Sequence, residues 1–110
     1  MPEAIEIQLK KGALELCVLA LLAQRDSYAY EIASTLADAI GMGEGTIYPL
    51  MRRLQSDRLV ETYLVESPAG PPRKYYRLSE AGKLSFNTQK SAWTSFSGAV
   101  DQIVFGGAKA

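Results

Sequence analysis

The chain has 110 residues, enough for one domain with a modest core, and its 12 basic and 12 acidic side chains balance, so its surface as a whole is not built to grip a polyanion. It has no histidine and a single cysteine, Cys17, set in an apolar run; this argues against metal centres, His-assisted catalysis and intrachain disulfides, and no enzyme activity, metal ligand or cofactor is expected. The charge is unevenly placed: residues 1–43 carry a net −3 and residues 44–77 a net +2.

The first helix is predicted over about Ile5–Gln24. Between Ala13 and Ala23 the only polar residue is Glu15, so this helix is apolar nearly all round and needs cover on more than one side. A domain of this size has few elements to supply it, and part of the face is expected to meet a second copy of the chain. Lys10 and Lys11 precede the apolar run as in a secretion signal, but Glu3, Glu6 and Glu15 do not suit one, and the run is too short to span a bilayer. A cytoplasmic protein without membrane contact is expected. Asp26 or Ser27 is placed to cap a second helix from Tyr28 to about Asp38, with an apolar stripe at Ala29, Ile32, Ala33, Leu36 and Ile40. Gly41, Met42 and Gly43 then break it.

The stretch Gly43–Leu59 predicts a short amphipathic helix. Ile47, Leu50, Met51 and Leu54 fall at i, i+3, i+4 and i+7, which places them on one core-facing stripe. At about 100° per residue the opposite side carries Gly45, Pro49, Arg52 and Ser56, with Thr46, Tyr48 and Arg53 on the flanks. Pro49 lacks an N–H and belongs near the helix start, which puts that start at Glu44 to Thr46. Small, hydroxyl and cationic residues on one ridge suit a phosphate-lined groove; they equally suit a surface helix with two solvated arginines. Two amphipathic helices joined by a glycine-containing turn form a helix-turn-helix pattern, one that any small helical domain can produce.

Leu59–Val65 is rich in β-formers, Glu66–Pro72 reads as a seven-residue turn, and Arg73–Leu78 as a second strand. A hairpin directly after a helix-turn-helix makes a winged helix. In the second strand Lys74, Tyr76 and Leu78 share one side and Arg73, Tyr75 and Arg77 the other. Arg73 and Lys74 at the loop end suit a wing that touches phosphate; the competing reading is an edge hairpin whose cations discourage strand pairing. A last helix follows from Ser79 or Glu80 to about Val104, before Gly106 and Gly107. Phe86, Gln89, Trp93, Phe96, Val100 and Ile103 are spaced close to a heptad seam. At about 35 Å the helix overreaches so small a domain, so its seam is expected to pair with a second subunit. Trp93, surrounded by small residues, is a candidate ligand-stacking side chain together with Phe96. The plainer reading is a packing residue at a helix crossing.

Gly45-Thr46-Ile47-Tyr48-Pro49, Lys74-Tyr75-Tyr76-Arg77-Leu78 and the opening Lys11–Ile32 together resemble the PadR family of bacterial transcriptional regulators, over about residues 10–104, and the short C-terminal part resembles its small subfamily. The resemblance implies a mainly α (α+β) winged helix-turn-helix, with residues 1–78 as DNA-binding domain and 79–110 as dimerisation helix and tail. It also implies a homodimer on an inverted-repeat operator and repression relieved by small aromatic or amphipathic compounds at Trp93. Thr46, Tyr48, Arg52, Arg53, Arg73 and Lys74 are the expected DNA-contacting residues. Ala29, Gln55 and Arg58 depart from the family pattern. At Arg58 a glycine usually takes a left-handed cap, so Arg58 either bears a strain of roughly 1 kcal/mol or the helix ends another way. The alternatives are a winged helix serving as a protein-interaction or dimerisation module, which the zero net charge favours, and a small ligand carrier.

Overall fold

The computed structural model describes the backbone of residues 2–106 and the side chains of residues 12–106. The tail from Gly107 onward, assigned above to the dimerisation segment, lies outside the described residues, as do the side chains of Glu3, Glu6, Lys10 and Lys11. In chain order the elements are α1 (Pro2–Gln24), β1 (Ser27–Tyr28), α2 (Ala29–Ile40), α3 (Glu44–Ser56), β2 (Val60–Ser67), β3 (Gly70–Leu78) and α4 (Glu80–Val104). The strands form one antiparallel sheet in the order β1-β3-β2. This is a winged helix-turn-helix followed by one long helix, the architecture expected from the patterning.

The core lies where the helical stripes and the inner sheet face converge. Val18 and Leu19 of α1, Ile32 of α2, and Ile47, Met51 and Leu54 of α3 are fully enclosed, and Val60, Tyr76 and Leu78 close it from the sheet. At roughly 1.5–3 kcal/mol per buried aliphatic side chain, this stripe-to-stripe contact is what holds α3 in place. α1 spends one side on this core, whereas Leu16, Cys17 and Leu21 stay only half-buried, in line with a helix that has more apolar surface than one domain covers. Burial pushes the Cys17 thiol up, which keeps it protonated and unreactive.

Two local expectations need correction. The cap of α2 is Tyr28, not Asp26 or Ser27, because Ser27 and Tyr28 are drawn into a short bridge with Tyr76 and Tyr75. The Tyr28 N–H donates instead to Glu31 Oε1 at 3.2 Å. The turn expected over seven residues shrinks to Pro68 and Ala69, since the strands pair as far as Ser67 and Gly70. Val65 opposite Arg73 and Ser67 opposite Gly70 leave Pro71 and Pro72 against Glu66 alone, a bulge. β1 pairs only with Tyr75 and Tyr76 and does not reach these prolines, so on that edge their missing N–H groups cost no pairing, and on the β2 edge they fall at the bulge. The start of α3 is Glu44, within the expected Glu44 to Thr46, and Pro49 sits in its second turn. The carbonyl it cannot bond belongs to Gly45, on the exposed face, where solvent serves it.

Arg58 does take the left-handed conformation, with φ 62°. Its N–H bonds to the Gln55 carbonyl at 3.0 Å and that of Leu59 to the Leu54 carbonyl at 3.0 Å, the paired bonds of a helix terminus that normally carries glycine. Arg58→Gly should therefore raise the unfolding free energy by about 1 kcal/mol, net of the freedom glycine adds to the unfolded chain. Chemical denaturation checks this; a lower midpoint would show that the arginine is not strained.

Candidate nucleic-acid interface

α3 presents its ridge as the pattern requires. With Ile47, Met51 and Leu54 sealed into the core, Gly45, Pro49, Arg52 and Ser56 are exposed, and Thr46 and Tyr48 stand half-buried beside them. Burial, with Glu44, Tyr30 and Tyr76 nearby, pushes the Tyr48 phenol up, so it stays neutral and able to donate. Gly43 is the N-cap of the helix; its extended backbone carries no capping side chain, and its carbonyl accepts from the Thr46 and Ile47 N–H groups at 3.1 and 3.2 Å.

The two adjacent arginines of α3 have different surroundings. Arg53 donates from Nη2 to Glu15 Oε1 of α1 and from Nη1 to Asp57 Oδ2 at 3.2 Å, and the Glu15 contact raises its pKa further. Arg52 has neither ion pair nor hydrogen bond among the described residues, and its side chain is exposed. Both are expected from the sequence to contact DNA, Arg52 from the side opposite the core and Arg53 from the flank. Only Arg52 is directed at solvent without a prior engagement.

The wing cations separate by face, as strand alternation predicts. Lys74 shares the inner face with buried Tyr76 and Leu78 and lies with Nζ 5.5 Å from the Tyr76 ring centre. Arg73 and Arg77 share the outer face with Tyr75. There Tyr28, Tyr75 and Tyr63 form a row across the three strands: Tyr28 meets Tyr75 edge-on at 5.4 Å and Tyr63 stacks on Tyr75 at 5.8 Å. Arg73 lies over Tyr28, 4.7 Å from its centre, and donates from Nη1 to its hydroxyl at 3.3 Å. Arg77 covers Tyr63 and donates to Glu61 Oε1 at 3.2 Å. The Tyr63 hydroxyl donates to Asp26 Oδ2 at 2.6 Å, a bond that pushes its pKa up. Together these contacts stiffen the base of the wing. The role of Tyr28 escaped sequence reading because a two-residue strand has no periodicity; the Ser-Tyr pair before a helix was the available signal.

α4 divides into two halves. Its first turns pack on the domain: Ser79 caps it by accepting the Gly82 N–H at 3.0 Å, and Phe86 lies against the core. Farther along, Trp93 is 47% exposed, Phe96 64% and Ile103 82%, with Val104 and Phe105 also open. The seam drawn through Phe86 and Ile103 is thus covered at one end and bare at the other. Trp93 and Phe96 line a cleft of about 280 Å³ with Gly12, Leu16, Gln89 and Ala92. Among the described residues no cluster of acids and cysteine could hold a metal, and no helix is long and apolar enough to cross a membrane.

The sequence pattern of the transcriptional regulator PadR-like family matches residues 18–88, which run from the end of α1 through α2, α3 and the wing to the start of α4. The chain belongs to this family. Family membership places it among transcriptional regulators, which are not an enzyme class. A PadR-like transcriptional regulator from Bacillus cereus is 35% identical and superposes with a TM-score of 0.80, the match covering 88% of this chain and 96% of that one. A PadR family regulator from Eggerthella lenta is 30% identical with a TM-score of 0.81, over 93% and 90% of the two chains. Bacillus subtilis PadR in complex with operator DNA is 20% identical with a TM-score of 0.62, over 69% of this chain and 45% of that one, and shares the fold.

Proposed function

We propose that the chain binds duplex DNA as a homodimer and represses transcription from an inverted-repeat operator in the cytoplasm, residues 1–78 serving as DNA-binding domain and 79–110 as dimerisation segment. The observation that carries this reading is the α3 ridge, where an unengaged Arg52 stands among Gly45, Pro49 and Ser56 while the opposite face locks the helix to the core. A helix held on one side and small and cationic on the other can enter a major groove. That a relative of the same fold has been seen on operator DNA supports it. Thr46, Tyr48 and Arg52 are assigned to bases and phosphates of the groove, and Arg73 and Lys74 to the backbone beside the wing. Arg53 is left out of this set, since Glu15 and Asp57 hold it. Arg73→Ala should weaken binding to all duplexes alike and reduce the slope of log affinity against log salt by about one. Affinity that does not respond to salt would favour the protein-interaction module, the reading that zero net charge supports.

The bare half of α4 supports the dimer, and the Trp93 cleft supports release by a small planar aromatic or amphipathic ligand. Two indoles facing each other across a symmetric interface would stack on such a molecule, worth roughly 0.5–1.5 kcal/mol per ring beyond area burial. By linkage, DNA affinity falls only as far as the ligand prefers the state that cannot bind, typically about 1–3 kcal/mol. Trp93 is the single tryptophan, so its fluorescence reports directly. Titration with planar cationic dyes and phenolic acids should quench it and weaken DNA binding together, both effects being lost in Trp93→Ala. Quenching without any change in DNA affinity would make Trp93 a packing residue.

A further inference from the structure

Glu15 is the single acid on the apolar part of α1, and it uses both carboxylate oxygens on different helices. Oε1 accepts from Arg53 Nη2 of α3, and Oε2 accepts from Gln89 Nε2 of α4 at 2.9 Å. Each partner is steadied on its own helix: Arg53 by Asp57 Oδ2 at 3.2 Å, and Gln89 by Ser85 Oγ at 3.0 Å. Burial by itself would raise the Glu15 pKa, yet the hydrogen bonds from Arg53 and Gln89 and the charge of Arg53 lower it. The carboxylate is therefore charged at neutral pH, and its partial desolvation is offset by these contacts. Beside it a cleft of about 630 Å³ opens between α1 and α3, lined by Gly12 and Leu14 of α1 and Thr46, Pro49 and Leu50 of α3, with Gln89 as the one lining residue from α4. The first turn of α4 is seated on the turn after α3 through Ser79 and Gly82, and the helix then packs along α1; beyond that first turn, the Glu15 bridge is the side-chain link between α3 and α4 among the described residues.

We infer that Glu15 is a positioning residue: through Arg53 and Gln89 it fixes the recognition helix α3 relative to the dimerisation helix α4, and so fixes the separation of the two α3 helices in the dimer. This rests on the dimeric reading above. A pair of recognition helices must keep one spacing to fit successive grooves, roughly 34–36 Å apart, and slack at the α3–α4 link is felt twice in a symmetric pair. The link also adjoins the Trp93 cleft, whose lining includes Gln89, so a change in α4 there is transmitted to α3 by the same carboxylate.

The test uses the full chain with Cys17→Ala and a spin label at Gln55→Cys, an exposed position on α3, and measures the distance between labels of the two subunits by pulsed dipolar spectroscopy. The parent should give one narrow distance distribution. Glu15→Gln and Arg53→Gln should each at least double its width, and the double variant should be no broader than either alone, because both remove the same link. Arg53→Lys, which keeps a cation for Glu15, and Asp57→Asn, which removes only the intrahelical pair, should stay narrow, an outcome that general destabilisation would not produce. Should Glu15→Gln fail to fold, Arg53→Gln and Gln89→Leu carry the same comparison. Widths unchanged in folded variants would overturn the positioning role and leave the dimer standing. The absence of any intersubunit distance in the parent would overturn the dimer, and this inference with it.

Discussion

Replacing Gly82 with alanine should destabilise the chain by about 3 kcal/mol or more, although the same change at an open helical site gains about 1 kcal/mol. The reason is how α4 is joined to the winged helix. Ser79 donates its N–H to the Leu59 carbonyl at 3.0 Å and its hydroxyl to the Arg58 carbonyl at 2.7 Å, drawing the first turn of α4 onto the turn between α3 and β2. Gly82 is buried there, and a Cβ built on it would stand 2.0 Å from the Leu59 carbonyl oxygen and 3.2 Å from Leu78 Cδ2. The near atom is backbone, already fixed by the hydrogen bond from Ser79 and by the left-handed turn at Arg58, so it cannot yield as a side chain tip would. Relief requires shifting α4 outward, breaking those bonds. The thermal midpoint should fall by roughly 10 °C or more. A midpoint equal to that of the parent would show that α4 is not seated as described.

The second large effect lies at the other end of the same helix. Val100→Asp combined with Ile103→Asp should convert the dimer into monomers and lower operator affinity by at least about 100-fold. Ile103 is 82% exposed in the single chain, so a carboxylate there stays solvated and costs the isolated fold little. Val100 is half-buried in the single chain, so the variant's fold is checked alongside; in a folded variant a large effect comes from a surface that a second copy covers. Linking two half-site contacts gains on the order of 10²–10⁴ in affinity, which monomers forfeit. Sedimentation velocity separates the outcomes: a folded dimer of unchanged affinity would place the interface elsewhere.

Much of this was legible because the decisive signals are periodic. Ile47, Met51 and Leu54 landed in the core and Arg52 outside it, as a period of 3.6 dictates. Strand alternation likewise sorted Lys74 and Tyr76 from Arg73 and Tyr75. What escaped depends on contacts distant in sequence. Helical spacing sets Arg52 opposite the core stripe and Arg53 on its flank, with Asp57 in reach at i+4; what it does not show is the second partner of Arg53, Glu15, 38 positions earlier and on another helix. The wing was drawn too short because Pro71 and Pro72 look like turn residues. They fit in the strand at a bulge opposite Glu66, on a stretch that β1, a two-residue element without a pattern of its own, does not reach. Arg58 is the reverse case: the sequence posed the question of strain, and its positive φ answers it.

The central claim is that two α3 ridges read successive turns of one face of a duplex. Selection from a pool of fully randomised duplexes with the full-length chain, at a salt concentration where non-specific binding is weak, tests it most directly. The account predicts enrichment of an inverted repeat whose half-site centres lie roughly 10 base pairs apart, with enrichment lost in Arg52→Ala and in the Val100→Asp, Ile103→Asp variant. A pool that emerges unenriched from selection with a folded, dimeric protein would contradict it.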